Sequence, residues 1–286
     1  MPRLGDMGKG KVSVGENLKE DDTLLRYMSY PQFKGLFRNG LNLTKAAIYA
    51  QDDPFEGEFI ELVYQIAKQY EIFSEDDDGK RTQQADSLRE ESRRVREKSY
   101  VSCWTLGESE NVALWKIYGK DKNSIALKTT IGKLKQAIES FLMTSKESDA
   151  GLMKLLKKQI VKVKYIDHRS EDQNIGRKFF NIKAPKILHY KNIAYKYEEE
   201  VRVIFDCVES GYGDPPAGEI CPLRISPQIF VTEIIVSPFA DEWFKTLVHH
   251  EMKNYKMAEL VNWSNLNIIF NPGAYANSQI SEDKKP

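Results

Sequence analysis

The stretch Tyr195-Lys-Tyr-Glu-Glu-Glu-Val-Arg-Val-Ile-Phe205 runs three consecutive carboxylates straight into an apolar, β-branched segment. Val201, Val203 and Phe205 alternate with Glu200, Arg202 and Ile204, the pattern of a strand entered from an aromatic approach. Side chains on a strand repeat every second residue, so Glu198, Glu200 and Arg202 are expected on one face and Glu199 and Val201 on the other. Carboxylates that close repel each other, while a guanidinium beside them favours the charged form. Such tension marks either an active cleft or an edge strand whose charged face wards off aggregation.

The remaining chain narrows the class. Lys plus Arg and Asp plus Glu are 42 each, and a net charge of zero lacks the electrostatic footprint of a dedicated nucleic-acid binder. Three cysteines, Cys103, Cys207 and Cys221, with no C-x-x-C pair and only four histidines, argue for a reducing compartment and against a disulfide framework or structural zinc site. No stretch approaches the roughly 20 apolar residues of a membrane span, and residues 1–20 lack the apolar run of a signal or anchor. The expectation is a cytoplasmic protein with no membrane partner.

Along the chain, residues 1–21 read as a loose arm, 22–272 as one α+β domain and 273–286 as a polar tail. Residues 75–98 form a polar insertion, either a solvated helix or a lid. Strands are expected at 23–28, 99–105, 124–130, 159–166 with a lysine-rich exposed face, 221–225, 231–236 and 267–270. Helices are expected at 32–39, closed by Gly40, at 59–72, 131–144, 177–183 and about 237–255. Asp52 or Asp53 is expected to cap the second of these. A further helix runs from a Ser109 cap to Gly119, with Trp115 and Tyr118 on one face. Residues 210–218 are a loop. Short strands with irregularly interspersed helices favour α+β over a doubly wound parallel sheet. Neither G-x-G-x-x-G nor a P-loop occurs, which speaks against those nucleotide sites.

Five segments in order resemble a large bacterial family of unknown function, domain of unknown function 2971. They are Leu25-Arg26-Tyr27, Asp53-Pro54-Phe55-Glu56, Val101-Ser-Cys-Trp104 with Ala113-Leu-Trp-Lys-Ile-Tyr118, Tyr197-Glu-Glu-Glu-Val-Arg202 and Glu233-Ile-Ile-Val-Ser-Pro238. Asp52 stands where that family usually has Asn. The order Arg26, Ser102, Glu198-x-Glu200 is also similar to the ADP-ribosyltransferase superfamily, although Ser-Cys-Trp-Thr replaces the Ser-Thr-Ser of many members.

That resemblance implies split mixed or antiparallel sheets with flanking helices, and NAD as substrate. Glu200 would stabilise the ribosyl oxocarbenium ion, and Glu198 would orient or deprotonate the acceptor. Arg26 would hold the diphosphate, and Ser102 the cofactor ribose. Tyr27, Trp115, Tyr118 and Arg202 complete the implied cofactor-binding set. On this view Glu200→Gln abolishes activity and leaves the fold intact. The acceptor would be a protein or nucleic acid, the role that of a bacterial toxin or anti-phage effector, and an antitoxin or regulator a further partner. Two alternatives stay open: a Mg-dependent nuclease or phosphodiesterase using Asp53, Glu56, Glu198 and Glu200, and a non-catalytic binding or sensing module.

Overall fold

Period-two apolar patterning becomes strand along much of the chain, as expected for half-buried and buried sheet. The computed structural model describes residues 10–59, 61–66, 83–145, 153, 156–169, 184–208 and 218–267. The expected helix at 177–183, most of the loop at 210–218, the C-terminal end of the 59–72 helix, residues 268–270 of the last strand and the tail lie outside the described residues.

In chain order the strands are β1 (Ser13–Val14), β2 (Thr23–Ser29), β3 (Leu41–Lys45), β4 (Ser99–Leu106), β5 (Ser124–Thr130) and β6 (Lys157–Lys162). They continue with β7 (Lys164–Ile166), β8 (Tyr190–Asn192), β9 (Glu200–Asp206), β10 (Ile220–Leu223), β11 (Glu233–Val236) and β12 (Val261–Trp263). The helices are α1 (Tyr30–Asn39), α2 (Ala46–Asp52), α3 (Gln83–Lys98), α4 (Val112–Tyr118), α5 (Ile131–Thr144) and α6 (Glu242–Lys253). A helical run also covers 61–66. The protein is thus mixed α and β, with parallel and antiparallel pairings in its sheets.

The sequence reading takes 22–272 as one domain; the fold divides into two compact units. The first comprises Met1–Leu18, Asn42–Cys103 and Ile138–Leu223. Its strands run in the order β1-β6-β9-β4, with β3 joining β4 to β10, and β7 and β8 form a separate parallel pair. β6 and β9 pair antiparallel from Lys157↔Asp206 to Lys162↔Val201. β9 therefore lies inside the sheet, and all seven of its residues are buried. The edge-strand alternative is overturned by this placement. An apolar cluster of Phe59, Leu62, Val63, Val95, Val101, Leu188 and Ile204 packs beside it.

The second unit comprises Lys19–Leu41, Trp104–Ala137 and Arg224–Pro286. β2 pairs antiparallel with β5 along its whole length, β5 antiparallel with β11, and β11 parallel with β12. Leu25, Tyr27, Leu114, Trp115, Ala126 and Ile235 form one of its cores.

Several expectations are corrected. The arm is folded from Gly10 onward: Val12 and Leu18 are buried, and β1 pairs with β6, so two apolar anchors suffice within a polar run. The expected strand at 159–166 breaks at Val163, and Lys158 is buried, its ammonium donating to the carbonyls of Met153 at 3.1 Å and Leu156 at 2.6 Å. Asn111, not Ser109, caps α4, because its Oδ1 reaches the N–H groups of Ala113 at 2.8 Å and Leu114 at 3.4 Å. Trp115 is buried whereas Tyr118, the last residue of α4, is exposed. Asp53 ends α2 and accepts the Phe55 N–H at 3.0 Å, an Asx turn in place of an N-cap. Of the 75–98 segment, α3 is a helix laced by Arg93–Glu90 and Arg93–Glu97 pairs, with Val95 turned inward.

Candidate functional site: a buried ion cluster on β9

The approach to β9 sets the geometry. Asn192 opens a 3-10 turn over Ile193–Glu198 by accepting the Ala194 N–H at 3.0 Å. Glu199 then adopts a left-handed conformation, φ 43 and ψ 49, before the strand starts at Glu200. Glu198 therefore does not share a strand face with Glu200, as period-two reading places it. The left-handed residue between them folds both carboxylates toward the same ammonium instead: Lys191 Nζ lies 2.6 Å from Glu198 Oε2 and 3.3 Å from Glu200 Oε2.

Arg202, one strand period beyond Glu200, is fully buried and uses all five of its N–H groups. Nε donates to Glu200 Oε1 at 2.9 Å, and Nη1 to Glu56 Oε1 at 2.6 Å and to the Leu188 carbonyl at 2.8 Å. Nη2 donates to Glu56 Oε2 at 2.7 Å and Glu200 Oε2 at 3.1 Å. The pair with Glu56 is bidentate, the geometry in which a guanidinium fork matches a carboxylate. Glu56, Glu198 and Glu200 thus face Lys191 and Arg202.

Burial alone would raise the Glu200 carboxyl, but Arg202 and Lys191 overcome it and hold it at about 2. Burial dominates at Glu56 and pushes it upward against the pull of Arg202, with the Glu200 charge adding to the rise. At Lys191 the two glutamates outweigh burial and raise the ammonium. Burial and the Glu200 charge likewise push the Cys103 thiol well up, so that it stays protonated and hydrogen-bonds the Glu200 carboxylate. The Tyr165 hydroxyl accepts the Glu200 backbone N–H at 2.7 Å.

Of the residues singled out in the sequence, Glu198, Glu200 and Arg202 meet here. Ser102 lies on β4 in the same unit, buried, but strand alternation sets it on the opposite face from Cys103, the residue that touches Glu200. Arg26, Tyr27, Trp115 and Tyr118 belong to the second unit. There Arg26 sits over the Trp104 ring at 5.5 Å, and Tyr27 packs edge-on to Trp115 at 5.0 Å. The Tyr27 hydroxyl accepts the Asn111 N–H, and Trp115 donates to Glu110. Sequence reasoning left Lys191, Cys103 and Tyr165 out of the site, and it offered Glu56 only as a metal ligand. Glu56 carried a signal, since it closes the Asp53-Pro-Phe-Glu56 segment. Among the described residues no group of three or more His, Cys, Asp and Glu side chains is arranged to hold a metal ion, and no helix is long and apolar enough to cross a membrane.

A family model described as "Protein of unknown function (DUF2971)" matches residues 114–203. The chain resembles that family from α4 into β9, a span that includes Trp115, Tyr118, Lys191, Glu198, Glu200 and Arg202. No curated protein and no solved structure matches the chain.

Proposed function

We propose that the chain is an ADP-ribosyltransferase-like enzyme that uses NAD, with Glu198 as its working carboxylate. One observation carries the reading: two glutamates are clamped on a single lysine beside a saturated arginine. Preorganised negative charge stabilises a glycosidic carbon as it becomes cationic, and it is worth most where water is excluded. Arg202 spends every donor on Glu56, Glu200 and a carbonyl, so its role here is to fix Glu200. Glu200 in turn orients Lys191 and through it Glu198. The order Arg26, Ser102, Glu198-x-Glu200 supplies the choice of NAD, and an ADP-ribosyltransferase-like fold is part of the same proposal. A macromolecular acceptor and a toxin or defence role follow from it as working assumptions.

The test is transfer of labelled ADP-ribose from NAD to lysate components by the wild-type protein and by Glu198→Gln. Removing a group that acts mainly in the transition state lowers the rate by about 10²–10³-fold, and an isosteric amide at Glu198 should do so in protein that still folds, with a melting temperature lowered by the loss of its buried pair with Lys191. Wild-type protein that leaves NAD intact and labels nothing sinks the reading.

A second reading, the binding or sensing module, is favoured by the closure of the cluster: the Glu200 and Arg202 side chains are only 3% and 1% exposed. It expects Glu200→Gln and Glu198→Gln to change stability alone.

A further inference from the structure

α6 turns Phe244, Val248 and Met252 inward, the i, i+4, i+8 stripe of a helix packed along one side of the second unit. Its outer side is apolar as well. Trp243 is 56% exposed and Leu247 37%, one helical turn apart, and the exposed His250 and Asn254 continue the same line. Exposed apolar residues are ordinary when scattered singly, but a tryptophan and a leucine stacked on one helix face make a surface of the kind that partners cover. Trp243 is already ordered: its indole N–H donates to Asp241 Oδ2 at 3.2 Å, and its ring meets that of Phe244 edge-on at 5.8 Å. A side chain held in advance loses little freedom on binding.

The charges beside this stripe indicate what covers it. Glu242 opens α6 and Lys253 closes it, and at about 3.6 residues per turn they lie about three whole turns apart, on the same flank of the Trp243 and Leu247 line. Both are exposed, and among the described residues neither makes an ion pair, whereas Asp241 is paired with Lys122 at 2.5 Å and Glu251 with Lys34 at 2.8 Å. A face with an acid at one end, a base at the other and an apolar middle is complementary to a reversed copy of itself. Two such helices laid antiparallel about a two-fold axis set Glu242 against the partner's Lys253 on one flank, twice over, while Leu247 meets the partner's Leu247 at the axis.

We infer that the outer face of α6 joins two copies of this chain in an antiparallel, two-fold pairing, with Leu247 at its centre and Trp243 against the partner's His250. One helix from each copy makes a small interface, so the dimer forms as concentration rises and is not permanent. The pairing is independent of the chemistry proposed at Glu198.

The experiment is sedimentation velocity on the full chain from about 1 to 300 μM, the range in which small, transient interfaces become populated. Wild-type protein should shift from monomer toward dimer across that range. Leu247→Lys sets two ammonium groups face to face at the axis and should leave only monomer, and Trp243→Ala should weaken association about tenfold or more. Glu242→Lys and Lys253→Glu each place like charges opposite one another twice, and each should weaken association about fivefold. The double exchange, Glu242→Lys with Lys253→Glu, should restore it. Both exchanges oppose the helix dipole, so an effect on α6 stability alone would make the double variant the worst of the three. Wild-type protein that stays monomeric throughout, association that Leu247→Lys leaves unchanged, or a double exchange that associates no better than its single parents overturns the pairing.

Discussion

Glu56 and Arg202, 146 residues apart in sequence, face each other fork to fork at 2.6 and 2.7 Å inside the first unit. Arg202 is also the main partner of Glu200, so its removal strands two buried carboxylates at once. Breaking a buried pair from one side costs about 3–5 kcal/mol. Arg202→Leu is therefore expected to lower unfolding free energy by that amount or to prevent folding, as read from urea midpoints at unchanged m value. A loss under about 1 kcal/mol, within the range of a surface ion pair, would contradict the burial assigned to this cluster. The same reasoning revises the sequence-based expectation for Glu200→Gln: it should cost stability as well as any activity.

Acid should weaken the fold in two steps. His189 is lowered to about 4, chiefly by burial and then by Lys157, Lys186, Lys164 and Arg202. Its folded value lies below the unfolded value of roughly 6.5, so its contribution is complete above pH ~6.5 and is lost as the pH falls toward 4. His168 is shifted in the same direction, with burial again the main cause. Glu200, held at about 2 against an ordinary 4.5, contributes stability above pH 4.5 that disappears as the pH falls toward 2. Urea titrations between pH 7 and 3 should show the upper step, about 2 kcal/mol once screening of the partly exposed ring is allowed for. His189→Gln should shrink that step and leave the one below pH 4.5. A stability flat from pH 7 to 4.5 would contradict the assignment.

The fold and the cluster were legible in the sequence to different degrees. Strand periodicity located β2, β4, β5 and β9 closely, because those strands are long and their alternation is uninterrupted. It passed over β1, β3 and β12, whose few residues carry too little pattern. At β9 the acidic run and Arg202 were visible as a tension to be resolved, but what resolves it comes from elsewhere in the chain. Glu56 arrives from a turn after α2, Lys191 from β8 and Cys103 from β4, and no local spacing encodes those meetings. At β4 the superfamily resemblance drew attention to Ser102, while register turns its neighbour Cys103 toward Glu200.

The left-handed residue at the mouth of β9 offers a test of how the two glutamates are brought together. Glu199 has φ 43, a conformation that costs a residue with a Cβ on the order of 1 kcal/mol and glycine almost nothing. Its side chain pairs with Lys162 at 2.9 Å, but both groups are well exposed and such pairs are worth roughly 0–1 kcal/mol. Glu199→Gly should be neutral to stabilising by about 0.5 kcal/mol in thermal or urea unfolding, where glycine in a strand interior would destabilise by a similar amount. Glu199→Val should lose more than 1 kcal/mol, since a β-branched residue resists positive φ. The reverse ranking would mean that Glu198 and Glu200 reach Lys191 along a different backbone path.

Lys158 gives a pH signature of the same sign as His189 but in an alkaline window, which isolates it from the rest of the chain. It is 4% exposed, and burial lowers its ammonium to about 8 from an ordinary 10.5, with two backbone carbonyls as its hydrogen-bond partners. For a lysine whose folded value is depressed, the favourable contribution is complete above pH ~10.5 and fades as the pH falls toward 8. Wild-type protein should therefore gain stability relative to Lys158→Met between pH 8 and 10, by about 2–3 kcal/mol. The comparison is of slopes, so the two carbonyl bonds lost in the variant shift its curve without changing its shape. Parallel stability curves across that range would show that the Lys158 ammonium titrates as it does in water and is not enclosed between β6 and the Met153 carbonyl.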